Sequence, residues 1–353
     1  MKIDHVHFYT RNAARTRDWF IGNIGFEAIG TCVDQHTHTE LIALNSAFFL
    51  ISSPLNAESP VAKYLNHHPS GVADIAFRVK NIGSIIERSR HLGVKILQNI
   101  QLWRSERNNF QDSFKFAQIA GWQDLQHTLI EDTVNRDCCV PFSLKPCKVE
   151  PTCSSHITNI DHVVLNVAQG KLNAAAKLYQ ELFNFRIQQS FNIKTSQSGL
   201  SSLALIDDVG QVQFNINEPT TTNSQIQEFI DFNGGSGIQH LALRSQNLIA
   251  DVAQMQERDV QFLNVPPAYY RGLKTFSALS SDERQKISRR NILVDGDRAL
   301  ADSLLMQIFT QPIFEQPTFF LEFIERRLEA KGFGKGNFQA LFQAVERLSN
   351  LQK

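Results

Sequence analysis

The sequence has no apolar run approaching the roughly 20 residues that span a bilayer. Its opening stretch, MKIDHVHFYT, lacks the basic end and apolar core of a secretory leader. A membrane-spanning or exported protein is therefore not expected. An excess of one charge is also missing: Lys plus Arg and Asp plus Glu each total 35, so the formal net charge is zero. Nucleic acid and membrane surfaces both call for a basic excess, so neither is an expected partner. Cysteine is scarce. The five residues Cys32, Cys138, Cys139, Cys147 and Cys153 are odd in number and form no CxxC pair, which argues against a disulfide framework and against a structural zinc site. Reduced thiols in a cytoplasmic protein are the expectation. What is present is a globular profile, 42% hydrophobic and 20% charged over 353 residues, enough for two ordinary domains with real cores.

The chain repeats itself. Ile3-Asp4-His5-Val6 recurs as Ile160-Asp161-His162-Val163, and each copy opens an alternating strand followed by a helical stretch with a phenylalanine before the next strand, DWFIGNIGFEAIG early and KLYQELFNFRI late. A second match follows in the same order: GVADIAFRVKN (71–81) against GIQHLALRSQN (237–247), with four of eleven positions identical and three more swapped between apolar residues. Two matches in one order point to duplication. The halves divide near 141–158, where PFSLKPCKVEPTCSSH gathers Pro, Ser and Cys between periodic segments. We assign 1–150 to an N-terminal domain and 151–353 to a C-terminal one.

Period-two stretches such as HVHFYT, TELIALNSAFFLISS, VADIAFRV, LSSLALI, QVQFNINEP and TFFLEFIE predict strands. Helices are predicted near 12–24, 82–93, 171–183, 223–232, 247–257 and 337–350. The last has Asn337 as N-cap and an apolar face of Phe338, Leu341, Phe342 and Val345. The class is α+β, two domains each built of paired βαβββ modules.

Of eleven histidines, most have plain explanations. His36 and His38, and His67 and His68, sit in polar, loop-like stretches. His162 and His240 differ, because each lies on an apolar strand face, between Ile160 and Val164 and between Ile238 and Ala242. A polar ring there needs a partner, since an unpaired buried polar group costs about 1–3 kcal/mol. Either one alone would read as a satisfied core histidine.

Glu322 changes that reading. It sits between Phe320 and Ile324 on one strand face, where an uncompensated carboxylate costs far more than an imidazole. Metal coordination would compensate it, and two imidazoles with one carboxylate form the facial triad suited to iron(II) and oxygen chemistry. The repeat supplies an internal control: the first half has His5, Asp74 and Thr128 at the matching positions, so only the second half offers a full ligand set. Downstream, GFGKGNF (332–338) lacks the βαβ context of a phosphate loop and reads as a hinge into a capped helix, a candidate lid.

With IDHVVLNV, SGLSSLAL, INEP, SQIQEF, GIQHLAL, PPAYY, ILVDGD, LLMQIFTQP, FFLEFIER and GFGKGNF in order, the chain resembles the 4-hydroxyphenylpyruvate dioxygenase family of the vicinal-oxygen-chelate superfamily. The resemblance runs over essentially the whole chain. It implies a C-terminal domain that wraps an open, barrel-like sheet around Fe(II), with His162, His240 and Glu322 as ligands. It further implies a polar pocket of Ser202, Asn217, Gln225 and Gln307, and an aromatic wall of Phe309, Phe320, Phe333 and Phe338, with Asn337 beside them. Asn215 faces the substrate at a position where the family usually has proline. The substrates implied are 4-hydroxyphenylpyruvate and O2, giving homogentisate and CO2, in a homo-oligomer. Three alternatives stand beside this: 4-hydroxymandelate synthase, which oxidises the benzylic carbon of the same substrate; an extradiol ring-cleaving enzyme; and a non-catalytic small-molecule-binding module.

Overall fold

The duplicated IDHV strands lie at the centres of two separate sheets. The computed structural model describes residues 1–104, 113–134, 136–147, 155–195, 198–275, 277–296, 303–328, 330, 332–334 and 336–337. In the first half run β1 (Lys2–Tyr9), β2 (Glu27–Val33), β3 (Thr37–Leu44), β4 (Ala47–Pro54), β5 (Gly71–Arg78), β6 (Ile96–Arg104), β7 (Ser113–Ala120), β8 (Gln126–Glu131) and the short β9 (Lys145–Pro146). In the second run β10 (Ile157–Asn166), β11 (Arg186–Lys194), β12 (Gly199–Ile206), β13 (Gln213–Pro219), β14 (Gly237–Ser245), β15 (Leu293–Gly296), β16 (Leu304–Phe309) and β17 (Phe320–Arg327). Helices α1 (Ala13–Trp19), α2 (Pro60–Leu65), α3 (Ile82–His91), α4 (Leu172–Phe183), α5 (Gln225–Asn233), α6 (Leu248–Glu257) and α7 (Ser281–Arg289) connect them.

Spatial order makes the duplication explicit. The first sheet runs β9-β2-β3-β4-β1-β5-β8-β7-β6 and the second β11-β12-β13-β10-β14-β17-β16-β15. Apart from β9, which extends the edge at β2, the two orders are the same. Each sheet is two βαβββ modules meeting at an antiparallel central pair, β1 with β5 and β10 with β14. In each module the first strand lies parallel to the fourth, as in β1 with β4 and β14 with β17.

The expected elements form with local differences. The stretch 39–53 is not one strand: it breaks at Asn45, whose φ of 52° makes the turn between β3 and β4. The helix expected over 12–24 is α-helical only to Trp19 and closes as a π-turn over Phe20–Ile24 before Gly25. The helix expected over 337–350 lies, beyond its first residue, outside the described residues. Helices α2 and α7 and the 3-10 turn Pro267–Thr275 are additional to the predicted helices. Among the described residues no helix is long and apolar enough to cross a membrane.

One hydrophobic cluster runs through both halves. Phe77 of β5 meets Phe183 of α4 with ring centroids 5.1 Å apart, and His127 of β8 meets the Tyr179 hydroxyl at 3.1 Å. The halves therefore bury their aromatic faces against each other.

Candidate metal centre

Register brings His162 and Glu322 together. Both pair with Ala242, His162 across β10–β14 and Glu322 across β14–β17, so the three form one row over three strands. His240 lies two residues along β14 on the same face. Ala242 is fully buried and small, which lets the longer side chains on either side converge above it. His162 Nε2 stands 3.2 Å and His240 Nε2 3.4 Å from Glu322 Oε2. All three ligand atoms lie within 4.8 Å of one another, and each side chain is buried.

The donor set fits a divalent metal. Ligands adjacent in the coordination sphere of an ion bound at about 2.1 Å stand about 3 Å apart, close to the spacings here. The electrostatics agree. Burial alone would raise Glu322, but the two imidazoles outweigh it and hold the carboxyl at about 2. Burial would lower His162, yet the Glu322 and Asp161 carboxylates raise it to about 9. His240 is pulled down by burial, more than Glu322 pulls it up. Glu322 thus stays an anion facing two imidazoles, and the proton it favours on His162 is the one a bound metal would displace.

The ligands are braced from behind. His162 Nδ1 donates to Asp161 Oδ1 at 3.0 Å, which leaves Nε2 for the centre. Asp161 is gripped by Arg326, whose Nε and Nη2 donate at 2.8 and 2.7 Å. Gln307 Nε2 donates to Glu322 Oε1 at 2.8 Å. The ring of His240 stacks on Phe320 at 4.7 Å, while its Nδ1 is buried with no partner among the described residues.

The expected pocket residues largely gather round the triad. Phe333 packs edge-on to His162 at 5.1 Å, and Phe309 lies 6.3 Å from His240 and 6.2 Å from Phe320. Ser202 pairs with Asn217, and Asn217 with Asn166, on one sheet face. Asn215 lies beside Val164, itself beside His240. Among the described residues, Asn215 Oδ1, Asn217 Oδ1 and Gln225 Oε1 are buried without partners, as groups awaiting a polar ligand would be. Gln307 differs from its expected role, because both ends of its amide are engaged by protein, Glu322 on one side and Asn337 on the other. Phe338 lies outside the described residues.

Sequence reasoning missed one neighbour and one irregularity of the sheet. Asn166 is fully buried, accepts from Asn217 Nδ2 at 3.3 Å and, among the described residues, leaves its own Nδ2 unpartnered. It stands four residues after His162 on the same face, a period-two signal that was available. Gln239 would be expected to face away from His240, but the register slips between His240 and Ile238. Such a bulge changes the aim of a side chain, and alternation alone does not reveal it.

The first half is closed. Its inner-face residues Leu41, Ala43, Phe48 and Leu50 are covered by Cys138, Val140, Phe142 and Leu144 of the connecting segment. Cys138 also approaches Asp4 and His5 closely enough for a three-ligand cluster. Asp4, however, is already held by Arg78, the Cys139 amide and His5, and burial pushes the Cys138 thiol well up. Among the other histidines, His38 lies in β3 rather than a loop and meets Glu40 at 2.8 Å. His68 bridges the Asn233 carbonyl and Asp124. A cavity of about 380 Å³ between the halves has Asp161 in its wall, behind His162, but none of the triad lines it.

Comparison with known proteins agrees with this geometry. The Glyoxalase/Bleomycin resistance protein/Dioxygenase superfamily profile matches residues 159–282. A 4-hydroxyphenylpyruvate dioxygenase from Caenorhabditis elegans is 31% identical over 98% of this chain and 91% of its own. The Yarrowia lipolytica enzyme of that name gives the same figures, 31%, 98% and 91%. The chain belongs to the 4-hydroxyphenylpyruvate dioxygenase family. An uncharacterised Synechocystis protein is 34% identical over 99% of this chain and 98% of its own. Among solved structures, a mutant 4-hydroxymandelate synthase from Streptomyces coelicolor superposes with a TM-score of 0.85 at 26% identity, covering 99% of this chain and 98% of that one. Membership of the family gives the class of chemistry, that of a metal-dependent dioxygenase with two domains of paired βαβββ modules.

Proposed function

We propose that the chain is an Fe(II)-dependent dioxygenase that converts 4-hydroxyphenylpyruvate and O2 to homogentisate and CO2. Residues 151–353 would form the catalytic half and 1–150 its support. The observation that carries this is the convergence of the buried His162, His240 and Glu322 in the second half, whose counterpart face in the first half is covered by the connecting segment. Two imidazoles and a carboxylate leave open positions for a chelating 2-oxo acid and for oxygen, the pattern suited to ferrous iron.

When bound, ferrous iron would supply oxygen activation, relaying to O2 the electrons that decarboxylation of the 2-oxo acid releases. The protein supplies the rest. Asp161 and Gln307 hold His162 and Glu322 in position through their second polar atoms. Phe309, Phe320 and Phe333 pack around the imidazoles and exclude water from the reacting side. The amide oxygens of Asn215, Asn217 and Gln225, unpartnered among the described residues, with Ser202, would orient the phenol by hydrogen bonds, so that the ring presents one carbon for hydroxylation.

A second reading, 4-hydroxymandelate synthase, is supported by the fold match to that enzyme, while Asn215, standing where the family usually has proline, matches neither enzyme's pattern. A non-catalytic module is disfavoured by the complete triad. The deciding experiment is anaerobic loading with Fe(II), then 4-hydroxyphenylpyruvate and oxygen, with chromatography of the product. Homogentisate supports the proposal, hydroxymandelate supports the second reading, and no turnover with unchanged substrate supports the binding module.

A further inference from the structure

Glu322 is the end of a hydrogen-bond chain that starts outside the pocket. Ionised Glu322 can only accept, so the 2.8 Å contact at Oε1 must come from Gln307 Nε2. Gln307 Oε1 is then left to accept from Asn337 Nδ2, at 2.8 Å. Asn337 Oδ1 in turn lies 2.9 Å from the Tyr269 hydroxyl, whose single proton it shares with the Val294 carbonyl at 2.8 Å, and the Tyr269 oxygen accepts from the Val294 amide at 2.8 Å. Reversing the Asn337 amide would relieve its oxygen of the Val294 carbonyl at 3.2 Å but set that oxygen 2.8 Å from Gln307 Oε1, acceptor against acceptor. The carboxylate thus sets the sense of the links from Glu322 as far as Asn337, and Tyr269 holds the far end of the Asn337 amide. Burial raises the Tyr269 phenol, which keeps it a donor.

The segment carrying Asn337 is built to pass close by. Gly334 has φ +66°, and a Cβ there would lie 2.5 Å from Gln307 Oε1 and 2.9 Å from Leu305 Cδ2. The Gly336 amide donates to Asp295 Oδ2 at 2.9 Å, next to the strand residue Val294 that Tyr269 holds. Arg326, which grips Asp161 behind His162, also donates to the Ala330 and Gly332 carbonyls at 3.0 and 2.7 Å. Two ligands of the triad are thus tied, through one intermediary side chain or two, to the same stretch of chain.

We propose that Tyr269 is a positioning residue: it anchors Asn337 and, through Asn337 and Gln307, sets the orientation of the Glu322 carboxylate at the metal. It touches neither substrate nor metal. Its contribution is to couple a seated C-terminal segment to a correctly aimed ligand, and outer partners of metal ligands typically change affinity about 10–100-fold. The proposal rests on reading Glu322 as a ligand.

The test uses the full chain and anaerobic calorimetry with Fe(II), with visible spectra of the Co(II)-loaded protein as a readout of ligand geometry. Tyr269→Phe is expected to weaken metal binding about tenfold, shift the Co(II) bands, and lower kcat with little change in KM for the oxo acid. Gln307→Leu cuts the last link, and the double variant should bind metal no more weakly than Gln307→Leu alone. Wild-type affinity and spectrum in Tyr269→Phe, or losses that add in the double variant, would overturn the relay. If Tyr269→Phe does not fold, Asn337→Ala interrupts the same chain and is judged by the same readouts. Glu322→Ala, measured in parallel, separates the two claims: loss of metal there with normal binding in Tyr269→Phe removes the relay alone, while retained binding removes the ligand reading beneath it.

Discussion

Thr128 donates its hydroxyl to Asp74 Oδ2 at 2.6 Å, and these two residues stand in the first sheet where Glu322 and His240 stand in the second. Asp74 also accepts from the Thr128 amide at 2.9 Å and from Gln118 Nε2 at 2.9 Å. One copy of the module spends these positions on a closed, self-satisfied hydrogen-bond knot; the other leaves them facing a common centre.

That contrast predicts different costs. Thr128→Val removes one donor from the buried Asp74 carboxylate and should destabilise the fold by about 1–3 kcal/mol. Metal affinity should not change. Urea unfolding and a metal titration on the same sample check both halves of the statement.

Glu322→Ala should lose Fe(II) binding and turnover while the chain stays folded, because the two remaining imidazoles give too few ligands. Calorimetry and circular dichroism check it, and turnover retained by the variant would remove Glu322 from the ligand set.

Asn215 offers a test of function against stability. Its Oδ1 is buried without a partner among the described residues, a costly state for a fold and a useful one for a substrate site. Asn215→Leu should raise the melting temperature of the metal-free protein by a few degrees, which corresponds to about 1 kcal/mol. The same change should raise KM or alter the ratio of homogentisate to hydroxymandelate. Unchanged kinetics would take Asn215 out of the pocket.

The contact between halves should be acid-sensitive. His127 is fully buried, donates to the Ile75 carbonyl and accepts from Tyr179. Burial lowers its pKa from 6.5 to about 4, against the pull of Asp74. Between those values the unfolded chain takes up a proton that the folded chain refuses. The stability from this group is whole above pH 6.5 and falls, by on the order of 3 kcal/mol, as pH drops toward 4. His127→Gln should flatten the slope of unfolding free energy over that window, whereas equal slopes in the two proteins would refute the assignment.

How much of this could be read from the residues alone follows from the physics of each feature. Alternation and the repeated IDHV place His162, His240 and Glu322 on inward faces, since period two is a property of the strand itself. The first half's lack of a ligand set follows from Asp74 and Thr128 by simple alignment. Asn166 was equally open to that reasoning and was passed over. Ser280 and Glu283 form the reciprocal cap of α7, another local signal left unused. The bracing of the ligands is a different matter. Arg326 is 165 residues from Asp161, and the Tyr269–Asn337 contact spans 68. Such pairs depend on how loops return over the sheet, which no local pattern encodes. The bulge at Gln239 belongs with them.

The aromatic seam of Phe77, His127, Tyr179 and Phe183 has an implication for how the duplicated gene could evolve. A chain cut in the linker would release two pieces, each with a bare phenyl-rich flank, prone to clump rather than to fold apart. Once the copies had fused in this way, the first could surrender its ligands without becoming dispensable, because its remaining task is to be the wall against which the working copy takes shape.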